Sequence, residues 1–196
     1  MNSFYSEEEL RTLGLKSYGS NVLISRKASI YSADKIEIGN NVRIDDFCIL
    51  SGRITLGSYI HIAAAVLMYG GDAGIIVSDY STISSRGAVY AVSDDYSGET
   101  MTNPMVPDKY RGCWEDAVYI GKHVIIGTGC TILPGVAVSE GTSVGAHSLI
   151  NKRTEPWSIY YGAPAKKKSD RSRKLLTLCS QFEAEALTSE EKNTDE

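Results

Sequence analysis

An all-β solenoid is the fold class this sequence predicts, and three observations predict it. The first is a period. From Ile120 the chain reads in sixes, IGKHVI, IGTGCT, ILPGVA, VSEGTS, VGAHSL and INKRTE, led by Ile120, Ile126, Ile132, Val138, Val144 and Ile150. A helix requires a period near 3.6 and a plain strand a period of about 2, so a period of six fits neither. It fits short parallel strands joined by tight turns, with each leader pointing inward and three hexads closing one triangular coil. The second is the frequency of glycine and other small residues after the leaders, where turns require backbone angles that a Cβ resists. The third is that no proline interrupts residues 1 to 103, as a succession of paired strands requires.

Taken in order, the elements stem from local chemistry. Ser6-Glu-Glu-Glu9 before Leu10 is a capping-box pattern, with Ser6 as N-cap and Glu9 reaching back. It predicts a short helix over residues 6–13, ending near Gly14 and covering the open first coil. Leaders then fall at Ile24, Ile30, Ile36, Val42, Cys48, Ile54, Ile60 and Val66. The step breaks at Met68-Tyr-Gly-Gly-Asp-Ala-Gly74, a bulge that re-registers the coil, and resumes at Val77, Ile83 and Val89. Residues 93–116 carry no hexad but hold two prolines, two tyrosines and Trp114. A long loop in a compact domain is usually functional or disordered, and the aromatic content argues for an ordered arm. The repeat returns at Val118 and runs to Ile150. Beyond Lys168, Ser169-Asp170 can cap a helix whose apolar face is Leu175, Leu176, Cys179 and Phe182. From Glu183 the chain is acidic, and the last residues read as a disordered tail. The expected organisation is a β-helix domain over 1–168, with the arm at 93–116, and a C-terminal helix and acidic tail over 169–196.

Composition narrows the function. The 196 residues suit one domain, and a net charge of −4 argues against a general nucleic-acid binder. Lys166, Lys167, Lys168, Arg171, Arg173 and Lys174 nevertheless cluster beside the end of the repeat, where a phosphorylated cofactor could use them. The four cysteines, Cys48, Cys113, Cys130 and Cys179, have neither metal nor redox spacing. That suits a reducing, cytoplasmic setting. The N-terminus, with Glu7, Glu8 and Glu9, is unlike a signal peptide, and the longest apolar stretch, Ile60 to Tyr69, is too short to span a membrane.

The hexads and the segment that closes them resemble the hexapeptide-repeat acyltransferases, whose fold is a left-handed parallel β-helix. Trp157-Ser-Ile-Tyr-Tyr-Gly-Ala-Pro-Ala-Lys166 is similar to the family's closing segment, an aromatic run ending in G-x-P-[AC]-[KR]. Asp94-Asp-Tyr-Ser-Gly-Glu99 with Asn103-Pro104 resembles a subgroup of acetyltransferases that build surface polysaccharide, akin to the maltose and galactoside acetyltransferases. The likeness covers residues 20 to 168, roughly. It implies a homotrimer with acetyl-CoA lying in the groove between neighbouring β-helices. V-G-A-H-S-L-I-N-K matches the family's I-G-A-G-S-I-V-T-K, which implies cofactor contact at Ala146, Asn151 and Lys152, and one coil earlier at Thr128. Lys166 matches a basic position suited to a CoA phosphate.

For Thr128 and Ala146 the plainer reading is turn geometry, and for the lysines a surface charge. Acetylating a hydroxyl needs a base for its proton and a donor for the developing oxyanion. Many relatives place a His just after the third leader before the arm, and here that position holds Asp94, with Asp95 next to it. The hexad count sets His61 at a coil corner below the same edge. This allows a shared base in which His61 takes the proton and Asp94 or Asp95 orients it, against the alternative of an exposed structural His. His123, mid-hexad at a turn, reads as structural, and His147, where the family often has Gly, as shaping the groove. Tyr96, Glu99 and Asn103 on the arm could hold the sugar, as could Trp114.

The leading expectation is an acetyl-CoA-dependent O-acetyltransferase acting on a sugar hydroxyl in surface polysaccharide (O-antigen or capsule) biosynthesis, with no metal. The alternative is N-acetylation of an amino nucleotide-sugar, since an amine needs less help from a base. A zinc hydratase on the three histidines and a non-enzymatic β-helix scaffold are the remaining readings. The first lacks the close His pair, and the second leaves the G-A-P-A-K motif unexplained.

Overall fold

The computed structural model describes residues 3–194, with side chains to residue 186. It is a parallel β-helix whose strands stack in three faces. Face one runs from Ser17–Tyr18 through Ile36–Ile38 and Val118–Ile120 to Ala137–Val138. Face two stacks seven parallel strands, from Val22–Ile24 to Ser158–Tyr161, and closes with the antiparallel strand Lys166–Asp170. Face three runs from Ser29–Tyr31 through Ala88–Tyr90 and Thr131–Ile132 to Leu149–Ile150. Ile49–Leu56 and Leu67–Val77 bend around the corner from face three to face one, so those two faces form one sheet.

Many coil sides bury two residues, not one. Val42 with Ile44, Ile60 with Ile62, Val124 with Ile126 and Val136 with Val138 all point inward, and the residue between them faces out. Burying each such Val or Ile contributes about 1.5–3 kcal/mol. This corrects the phase of the early hexads. Ile120 pairs with Val77, Val77 with Leu56, and Leu56 with Ile38. The counted leaders Ile36 through Val66 therefore occupy the other inward position. The cause is a short 3-10 turn, Ala33–Lys35, inserted between Ile30 and Ile36. A two-residue slip goes unnoticed because both positions are apolar.

Turns require positive φ where the coils bend. Asn21, Asn41, Tyr59, Tyr80, His123, Gly141 and Trp157 form one such corner, with φ between 52° and 66°. The residue ahead of each is bonded through its carbonyl to the next coil, as Tyr59 N to Asn40 O and Tyr80 N to Ser58 O show. On this corner Tyr59, Tyr80 and His123 stack at 4.9 Å and 5.2 Å. Trp157 lies 6.1 Å beyond His123, over Gly141, which a Cβ would bring into the indole.

Helix α1 (Glu7–Thr12) has the capping box: Glu9 N donates to Ser6 Oγ and Ser6 N to the Glu9 carboxylate. Its Leu10 seals the first coil. Helix α2 (Leu175–Thr194) returns along the aromatic corner, with Phe182 edge-on to Tyr59 and Tyr80, and the Tyr80 hydroxyl donating to Glu183. The helix runs on past Glu183, where Glu-Ala-Glu-Ala-Leu favours helix. Asp195 and Glu196 lie outside the described residues. Among the described residues no helix is long and apolar enough to cross a membrane.

Candidate active site

The arm leaves the solenoid after Ala88–Tyr90 and returns before Val118–Ile120. Its two legs, Val92–Asp94 and Cys113–Glu115, pair antiparallel. Glu115 anchors them: its carboxylate accepts from Asp72 N (2.8 Å) and Ala73 N (3.0 Å), and so ties the arm to the Gly-rich bulge. Between the legs and face three opens a cleft of about 790 Å³, with Asp94, Asp95, Tyr96 and Trp114 on the arm side and Tyr90, Leu133 and Pro134 on the face-three side.

The two aspartates differ. Asp95 is committed to its own loop. It accepts from Ser97 N (2.7 Å), Ser97 Oγ (2.6 Å), Thr100 N (2.8 Å) and Thr100 Oγ1 (3.0 Å). These bonds, those from Ser97 foremost, hold its carboxyl well below the usual carboxylate range. A carboxylate so stabilised is a poor proton acceptor. Asp94 is exposed, with only a 3.9 Å contact from the Cys113 thiol and the Arg111 guanidinium nearby. Of the two, Asp94 is the carboxylate that its own loop leaves uncommitted.

His61 is not beside them. It stands on face two, in Ile60–Ile62, between the inward Ile60 and Ile62, and not at a corner. Its Nε2 lies 2.8 Å from Asp45 Oδ2, and Arg43 Nε donates to the same carboxylate at 2.7 Å. Burial pushes the Asp45 carboxyl up, but the bonds from His61 and Arg43 outweigh it and hold it below its ordinary value. Register explains the misplacement. His61 pairs with Thr82, twenty-one positions on, because the Gly-rich bulge lengthens that coil beyond eighteen. A shared His61–Asp94 base is therefore not assembled within one chain.

Of the arm residues expected to hold a sugar, Tyr96 lines the cleft, while Glu99 and Asn103 do not. Asn103, at φ +72°, accepts from Met105 N and shapes a turn. Tyr90, Leu133 and Pro134 were not singled out by sequence, since which face-three side chains point outward depends on the phase.

The proposed cofactor residues fall into two groups. Asn151, Lys152 and Lys166 converge on a second cleft of about 260 Å³ at the end of the solenoid. Its Ile150 lies one coil beyond Leu133 of the first cleft, with Leu133 N donating to Ile150 O (3.0 Å). Thr128 and Ala146 stack at the corner between faces two and three, where His147 N donates to Thr128 O and Thr128 Oγ1 to Ser85 O. Gly127 lets the coils approach there, for a Cβ would meet Ala146 N at 2.6 Å. The three histidines stand apart, and among the described residues no three His, Cys, Asp or Glu gather as a metal site would need.

No protein-family model matches the chain. The dTDP-4-amino-4,6-dideoxy-D-glucose acyltransferase of Escherichia coli is 46% identical over 188 residues, which cover 94% of this chain and 97% of that one. A putative lipopolysaccharide biosynthesis O-acetyl transferase of Escherichia coli K12 is 28% identical over 78% of each chain. Among solved structures, a variant of AntD, an N-acyltransferase from Bacillus cereus, in complex with dTDP and coenzyme A, superposes with a TM-score of 0.92. It is 50% identical, covering 94% of this chain and 100% of that one. AntD has also been solved with dTDP-4-amino-4,6-dideoxyglucose and with 3-hydroxybutyryl-CoA.

Proposed function

The chain belongs to the hexapeptide-repeat acyltransferases, enzymes of the left-handed parallel β-helix fold, and from that membership we propose that it is an N-acyltransferase. The acceptor is the amino group of a nucleotide-activated sugar of the dTDP-4-amino-4,6-dideoxyglucose type, and the donor is an acyl-CoA. The alternative among the sequence expectations, N-acetylation of an amino nucleotide-sugar, thus displaces O-acetylation of polysaccharide as the leading one, widened to N-acylation. Its support is the length and identity of the match to relatives with that acceptor. The observation that carries it is in the cleft: an exposed carboxylate, Asp94, stands there, and no His lines it. A hydroxyl needs a base near neutral pH as it attacks. A neutral amine attacks the thioester carbon by its own lone pair; as the C–N bond forms and the C–S bond breaks, its proton passes to the departing CoA thiolate, which leaves as the thiol. A carboxylate that accepts a hydrogen bond from the amine and holds its lone pair on the thioester carbon suffices.

The donor lies along the groove that continues from the arm cleft to Lys152 and Lys166. The lysines meet its phosphates, and the acyl end lies near Leu133, Pro134 and Trp114. The four cysteines stand as free thiols, in keeping with a cytoplasmic enzyme.

A thiol-release assay tests this. Acetyl-CoA and 3-hydroxybutyryl-CoA are each offered with dTDP-4-amino-4,6-dideoxyglucose, and separately with maltose and galactosides. Release with the amino sugar alone is expected. Release only with the hydroxyl acceptors would restore the O-acetyltransferase reading, which the K12 relative supports.

A further inference from the structure

Face three carries a file of outward aromatic rings with one ring missing. Register sets Tyr31, Ser51, Tyr69 and Tyr90 above one another, one per coil. Ser51, Tyr69 and Tyr90 each come directly after a buried residue, Leu50, Met68 and Val89, and so face outward. Tyr69 and Tyr90 stack with centroids 5.4 Å apart and planes 14° from parallel. The same coil-to-coil step stacks Tyr59 on Tyr80 at 4.9 Å. At Ser51 the ring place is empty. Tyr31 and Tyr69 are two strand steps apart, about 9.6 Å. One flat ring held between them would stack on both at the spacing the protein's own ladders use. Tyr31 is 57% exposed. Neither the Ser51 nor the Ser32 hydroxyl has a hydrogen-bond partner among the described residues.

The gap opens on a cleft of about 280 Å³ whose lining includes Ser32, Lys35, Ser51, Gly52 and Asp72. Two cations stand beside it. Lys35 Nζ is 2.8 Å from Asp72 Oδ1, and the Arg53 charge is felt by both Lys35 and Asp72. The Arg53 stem packs on Gly74, while its guanidinium has no ion-pair partner among the described residues. Gly52, at φ +82°, keeps the cleft floor tight, for a Cβ would meet Gly71 N and O at 2.6 Å. The cleft adjoins the arm cleft: Val92 lines both, and Tyr69 stacks on Tyr90, which lines the second.

We infer that the slot over Ser51, between Tyr31 and Tyr69, receives the pyrimidine base of a nucleoside diphosphate, with Lys35 and Arg53 beside it for the diphosphate. The inference rests on the proposed acceptor and names where its nucleotide half lies. Base stacking on aromatic faces binds without strict sequence demands, and the Ser51 and Ser32 hydroxyls supply polar contacts. The sugar then reaches toward Asp94, two coils on, while the acyl donor enters the groove from its opposite end. Ser51 and Asp94 thus mark two subsites of one acceptor.

The probe is dTDP, titrated calorimetrically against the full chain and its variants. Ser51→Tyr fills the slot with a ring the file already accommodates in neighbouring coils. Tyr31→Ala removes one wall. Each is expected to weaken dTDP roughly 5- to 150-fold, the effect of losing one base–aromatic stack. The KM for the nucleotide-sugar rises with it, and the KM for acyl-CoA stays unchanged. Arg53→Ala weakens dTDP several-fold with the acyl-CoA KM again unmoved. Should Tyr31→Ala fold poorly, Ser51→Tyr decides, with Ser51→Thr as the conservative control that retains binding. If the unmodified chain binds dTDP and Ser51→Tyr binds it equally well, the slot is overturned and the acceptor reading stands. If the unmodified chain binds acyl-CoA but no dTDP, the acceptor reading falls and the slot with it.

Discussion

Asp94 and His61 show how far single residues could be read from the sequence. Asp94 was legible as the residue at the family's catalytic position, and the fold gives it the exposed place in the arm cleft. His61 was not legible, because its position depends on a coil length that only the bulge sets. The two therefore make opposite predictions. Asp94→Ala should lower kcat/KM for the amino sugar by about 10²-fold, the low end of general-base effects, because an amine asks less of its acceptor. His61→Ala should leave kcat nearly unchanged and lose only the Asp45 bond. A dead His61→Ala of normal stability would return the imidazole to the chemistry. Lys152 and Lys166 argue separately. Both line the distal cleft, which Asp94 does not, so a donor phosphate held there would be bound equally in ground and transition states. Lys152→Ala and Lys166→Ala should raise the KM for acyl-CoA more than they lower kcat. Equal falls in kcat and kcat/KM would place them in the transition state instead.

At the scale of elements, the late hexads, the capping box and the arm's boundaries could all be read, since each is a local pattern. The early phase could not, because Ile36 and Ile38 are equally apolar and a two-residue insertion moves one into the other's place. Nor could the return of α2 onto the aromatic corner, which joins Phe182 to Tyr59 across a long stretch of sequence. That corner makes a pH prediction. His123 is buried between Tyr80 and Trp157, and burial, with Lys122 and Arg171, lowers its pKa below the ordinary value, against the opposing pull of Glu140 and Glu183. Between that lowered value and about 6.5 the unfolded chain binds the proton that the folded chain refuses. Stability should therefore fall as pH drops from 7 to 5. His123→Phe should keep the stack, since Tyr59, Tyr80 and Trp157 show that this corner accepts aromatic side chains at positive φ. It should also remove that part of the pH dependence. Thermal unfolding of both proteins across this range decides it, and superimposable pH profiles would sink the idea.

The whole molecule leaves apolar surface that a lone chain has no use for. On the arm Met105 is 90% exposed and Tyr96 93%, and on the faces Ile76, Tyr119 and Ile125 also meet solvent. Apolar side chains exposed on the arm and on two faces are surface that a neighbouring copy could cover. The arm cleft has walls on two sides, face three and the arm's own legs, and opens on the remainder. A closed ring of three copies would answer both features: each arm would lie over its neighbour, and each cleft would gain its missing wall from the next chain. We expect sedimentation to give three chains per particle. Met105→Asp and Ile125→Asp set a charge at the contact and should shift the particle toward the single chain. Specific activity should then fall on dilution and recover as protein concentration rises, because the missing wall returns with the neighbour. A single chain that turns over the amino sugar at full rate would refute the shared cleft, whatever the particle size of the unmodified protein.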